Sequence, residues 1–110
     1  MAFDETTAKR IRKLLPKNKD IEEKNMFGGL SFLLKGKMFC GIIKKDLVVR
    51  VGKELYEKAL VRPHTRPMDF TGHPIKGFVY VSPAGFKADA DLKNWIKLGI
   101  DYSSTLQSKI

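Results

Sequence analysis

Between Met26 and Val81, apolar segments of strand length follow one another, each cut off by glycine, proline or a charged pair. This rhythm restricts the chain to a small sheet-forming domain. Met26–Leu34 and Lys37–Ile43 are separated by Lys35-Gly36, where glycine supplies the positive φ of a tight hairpin. Lys44, Lys45 and Asp46 form a second polar turn before Leu47-Val48-Val49-Arg50-Val51, whose β-branched content favours a third antiparallel strand. A short helix over Lys53–Leu60 follows, with Leu55, Ala59 and Leu60 expected inward. Pro63 and Pro67 then act as breakers. A fourth strand, expected at a sheet edge, starts at Pro67; a turn at 71–74 leads to a fifth over 76–81.

Helices bracket this region. From Phe3 to Leu15, Phe3, Thr7, Ile11, Leu14 and Leu15 recur at helical spacing, with Asp4 and Glu5 at the positive N-terminal end and Pro16 opposing continuation. The polar segment from Lys17 to Lys24 reads as a connection. A last helix starts near Asp89, with Leu92, Trp95, Ile96, Gly99, Tyr102 and Leu106 along one stripe. The predicted fold is α+β, with helices on a two-layer, five-stranded antiparallel sheet in the order α-β-β-β-α-β-β-α. Residues 1–110 make a single domain.

Strand parity adds an inference about partners. Leu30, Phe32 and Leu34 alternate with Ser31 and Leu33; Met38, Cys40 and Ile42 with Phe39 and Ile43; Gly77 and Val79 with Phe78 and Tyr80. Both sheet faces are therefore apolar, whereas a solvated second face would alternate with polar residues. A homodimer partner is the expected cover.

The net charge of +9 comes from 21 basic and 12 acidic residues, enough to attract polyanions weakly. It divides as +2, +4, +2 and +1 over residues 1–25, 26–51, 52–81 and 82–110, without the basic block of a dedicated nucleic-acid arm. Cys40 is the single cysteine, which excludes an internal disulfide and a multi-cysteine zinc site and suits a reducing cytoplasm. The amino terminus has no long apolar run, so neither a signal peptide nor a membrane anchor is expected.

Five constellations bear on function. Gly28-Gly29 could cradle phosphate, but a strand follows and no GxGxxG or GKS/T pattern is present, so a strand bend is the expected role. His64, Asp69, His73 and Cys40 lack metal-ligand spacing, and a lone cysteine in an apolar strand reads as a small buried hydrophobe. No metal, cofactor or catalytic residue is therefore expected. Arg50, Arg62 and Arg66 could form an anion pocket if they converge; the alternative is ordinary pairing with Asp69 or Glu54. Lys9, Arg10, Arg12, Lys13 and Lys17 give the first helix a basic outer face, and Lys44 and Lys45 sit at a hairpin tip. Lys9, Arg12, Lys13, Lys44 and Lys45 are the candidate phosphate contacts. Phe27, Phe39, Phe78 and Tyr80 lack the polar interleaving of a base-stacking sheet and are assigned to packing.

Met26-Phe27-Gly28-Gly29, Gly36-Lys37-Met38, residues 46–52, residues 62–72 and Gly77-Phe78-Val79-Tyr80-Val81 together resemble the TfoX amino-terminal domain family across essentially the whole chain. The resemblance implies this element order and a tendency to pair. Competence regulators of the family continue into a second, carboxy-terminal helical domain, so a chain ending at Ile110 is expected to be a stand-alone copy. The expected function is a non-enzymatic cytoplasmic protein-interaction or dimerisation module in a regulatory setting. Its alternative is a weak, sequence-tolerant nucleic-acid binder.

Overall fold

The computed structural model describes residues 4–15, 20–26, 28–69 and 74–108. The expectations resting on Phe3, Pro16, Lys17, Phe27, His73, the turn over residues 71–73 and the Leu106 side chain lie outside the residues described. Asp4 opens the first helix, α1 (Glu5–Leu14), by accepting hydrogen bonds from the Thr7 backbone N–H at 3.3 Å and the Thr7 hydroxyl at 2.7 Å. This satisfies one of the amides a helix start leaves orphaned. The Asp4 backbone N–H donates to the Lys44 carbonyl oxygen at 2.7 Å, fastening the helix start to a distant hairpin turn.

Six strands form the sheet: β1 (Ile21–Met26), β2 (Gly29–Leu34), β3 (Lys37–Ile43), β4 (Asp46–Arg50), β5 (Thr65–Asp69) and β6 (Pro74–Val81). Helix α2 (Lys53–Leu60) joins β4 to β5, and a 3₁₀ turn at Pro83–Phe86 leads into α3 (Asp89–Ser108). The α+β class and antiparallel sheet agree with the sequence, but the strand count of five becomes six. The added strand is β1, which falls in the segment read as a connection. It pairs with β2 from Ile21↔Leu34 to Met26↔Gly29.

The spatial order is β1-β2-β3-β4-β6-β5, with every neighbouring pair antiparallel. β5 therefore runs parallel to β4 with β6 between them. β5 is an edge strand as expected, where the missing N–H of Pro67 can be tolerated. The β2–β3 hairpin turns through Lys35 at φ 51° and Gly36 at φ 81°, the two positive values of a type I′ turn.

A bulge changes the parity read from the sequence. Phe32 pairs with Cys40 but Leu33 pairs with Met38, so Phe39 is the extra residue. Phe39 joins Cys40 and Ile42 in the core beneath the helices, while Met38 turns to the opposite face. Gly99 of α3 crosses this point so closely that a methyl group there would overlap the Phe39 carbonyl oxygen. Helix, bulge and glycine thus form one packing unit.

The main core gathers Ile11 of α1, Tyr56 and Ala59 of α2, and Leu92, Trp95 and Ile96 of α3 against Phe32, Phe39, Ile42, Leu47, Val49 and Val79. Removing side chains of this size from water stabilises by about 1.5–3 kcal/mol each. Leu33, Met38, Val48 and Met68 form a second cluster, bordered by half-buried Ile43, Phe78 and Tyr80, and among the described residues no helix residue belongs to it. Both sheet faces are apolar, as parity indicated, and all three helices pack on one of them.

Candidate functional site

Arginines laid over aromatic rings organise much of the surface. Arg10 reaches from α1 to the start of α3, donating to the Phe86 carbonyl at 2.8 Å, the Lys87 carbonyl at 3.0 Å and Asp89 Oδ1 at 3.1 Å. Arg12 donates to both carboxylate oxygens of Glu23 on β1, at 2.7 and 2.8 Å, and that bond raises the guanidinium's already high pKa. These arginines clamp α1 between the start of α3 and the edge strand. Lys9 and Lys13 point outward and carry no ion pair among the described residues. The bond from Asp4 to Lys44 brings exposed Lys44 and Lys45 beside the start of α1.

Arg50, Arg62 and Arg66 do not come together. Arg66 binds Asp46 Oδ2 at 2.6 Å and the Ser82 hydroxyl at 3.2 Å, with its guanidinium 4.7 Å from the Tyr80 ring centre. Burial raises the Tyr80 phenol's pKa, while the neighbouring Arg66 charge opposes that shift. Arg50 lies 5.4 Å from the ring centres of both Phe78 and Tyr102. Arg62, just past α2, lies 4.2 Å from the ring centre of Trp95 on α3. Tyr80 borders the helix-free face and Trp95 is in the helix-side core, so Arg66 and Arg62 attend opposite sides of the sheet. No ion pair joins Arg50 or Arg66 to Asp69 or Glu54 among the described residues.

A groove that the sequence pattern does not mark runs between α2 and α3. Its α2 wall consists of Leu55, Lys58, Ala59 and Arg62, spaced i, i+3, i+4 and i+7; its α3 wall carries Asn94, Lys97, Leu98, Asp101 and Tyr102 at the same helical rhythm. Three adjoining depressions of about 420, 280 and 130 Å³ make up the groove, all lined by Leu98. Leu55, expected inward, is 39% exposed, because Tyr56 takes the core position beside Ala59. Leu55 and Val61 are the exposed large hydrophobic residues among those described. A separate depression of about 310 Å³ opens on the other side of α3, beside Leu14, Ile96 and Ile100.

The metal and nucleophile candidates do not converge either. His64 sits in the turn before β5 with φ 64°, Asp69 is the last residue of β5, and Cys40 lies inside the main core. Among the described residues no group of three or more His, Cys, Asp or Glu is placed to hold a metal ion. Burial alone drives the Cys40 thiol far above its ordinary pKa, so the nucleophilic thiolate is suppressed. Gly28 turns at φ 73° and Gly29 opens β2, with no helix start beside them to bind phosphate. No helix among the described residues is long and apolar enough to cross a membrane.

No curated protein and no solved structure matches the chain. The family model described as TfoX N-terminal domain matches residues 13–103, from the end of α1 into the last third of α3. The match takes in the whole sheet, its bulge and both walls of the groove, and the chain belongs to the TfoX N-terminal domain family.

Proposed function

We propose that this domain is a competence-related regulatory module that works by protein association, pairing as a homodimer through the helix-free face of its sheet. Family membership supports the regulatory setting. The observation that carries the pairing is the second apolar cluster, where Ile43, Phe78 and Tyr80 remain half-open around buried Val48. A two-fold interface would bring each of these residues opposite its own counterpart or a near neighbour. Arg50, Arg66 and Asp46 supply a charged border for such an apolar centre. Cytoplasmic residence and absence of catalysis belong to the same reading, supported by the sealed, unpaired thiol of Cys40.

Light scattering tests the pairing directly. The expected mass is twice the 12.5 kDa of one chain, and Ile43→Lys or Phe78→Lys should reduce it to one chain with circular dichroism unchanged. A single-chain mass for the unaltered protein at about 100 µM would reject the proposed pairing.

A second reading, weak nucleic-acid binding, is favoured by the approach of the Lys44–Lys45 turn to α1, whose Lys9 and Lys13 face outward. Arg12, the fifth candidate contact, is engaged by its bidentate bond to Glu23. Four lysines used together would give a log K against log salt slope of about −3 to −4. Anisotropy titrations with single- and double-stranded oligonucleotides at two salt concentrations would measure it. A flat response would leave the lysines as solubilising charge.

A further inference from the structure

We propose that the α2–α3 groove is a docking site for an acidic amphipathic helix of a partner protein. This rests on the general reading of the domain as an association module and adds a surface distinct from the sheet face. Leu55 and Leu98 present apolar groups from facing walls, with largely buried Ala59 one turn beyond Leu55, the pattern that accepts anchors at i, i+3, i+4 and i+7. Leu55 is left substantially open although its neighbour Tyr56 is buried.

Charge complementarity selects the occupant. Lys53, Lys58 and Arg62 stand along the groove with no ion pair among the described residues, while Lys97 is occupied by Asp101 at 2.9 Å. Glu54 is the acidic lining residue on the α2 side, so that side is net positive. Arg62 is already positioned. Its guanidinium carbon lies 4.2 Å from the Trp95 ring centre, and no hydrogen bond from its N–H groups is found among the described residues, so these donors can be offered to a carboxylate. A basic helix would meet like charge along that wall, and a polar helix would leave Leu55 and Leu98 without apolar partners.

The test uses three capped peptides of about 15 residues: leucines at helical spacing with glutamates between them, the same peptide with lysine for glutamate, and the same with serine for leucine. Binding to the full chain is followed by the fluorescence of Trp95, its single tryptophan, and by amide chemical shifts. The glutamate–leucine peptide should bind and shift Leu55, Ala59, Arg62 and Leu98. Each control should bind at least about tenfold more weakly. Leu55→Ser and Arg62→Ala, confirmed folded by circular dichroism, should each weaken binding about five- to tenfold, whereas Lys37→Ala at the exposed start of β3 should not. A monomeric protein that still binds the peptide in the groove would reject the dimer and keep this site. No binding up to about 1 mM, equal binding of either control, shifts confined to Lys9 and Lys13, or insensitivity to Leu55→Ser would each overturn the proposal.

Discussion

Asp4 acts through two atoms, its backbone N–H holding the Lys44 carbonyl and its carboxylate capping α1 at Thr7. Asp4→Ala should cost about 1 kcal/mol in chemical denaturation through the lost cap. The bond from Thr7 holds the carboxyl below its ordinary pKa, so the associated stability is present above the ordinary carboxylate range. It is lost as pH falls through the lowered folded value, and Asp4→Asn should flatten that part of the acid titration of stability. Ser103 behaves oppositely: its hydroxyl oxygen is buried without a hydrogen-bond partner among the described residues. Ser103→Ala should therefore be neutral or stabilising by up to about 1 kcal/mol, read from the denaturation midpoint. Cys40 should resist thiol reagents in the native state and react only as the central sheet opens, making labelling kinetics a probe of unfolding.

Among the elements, those with a buried stripe or alternating strand pattern were legible, and those governed by other forces were not. β1 is an edge strand with Glu22, Glu23, Lys24 and Asn25 all exposed, so neither side offers the apolar alternation that marks a strand. Pairing with β2 defines it. On α2, Leu55 and Tyr56 are both able to fill a core, and the helix phase that selects Tyr56 depends on how the chain leaves β4. The groove was hidden for that reason, and the Arg62–Trp95 stack because its members are brought together by tertiary packing. The arginine residues were conspicuous; their aromatic partners were not. The last helix was legible even to Gly99, although the Phe39 bulge that requires it was not. Gly99→Ala should destabilise by about 1–3 kcal/mol despite alanine's better helix propensity, since the new methyl must displace α3 from the β3 backbone. Thermal melting gives the sign.

For the whole molecule, the Cα radius of gyration is 12.8 Å, close to the roughly 13 Å expected of a folded chain this size, so the proposed pairing would join domains already closed around their own cores. The strand order also has a consequence for synthesis. β1 to β4 are joined by successive hairpin pairings that require nothing beyond Arg50, whereas β6 must enter between β4 and β5 after α2 has been made. A nascent chain can thus lay down a four-stranded meander while its second half is still being translated. The last strand made, β6, then covers the edge that β4 left open.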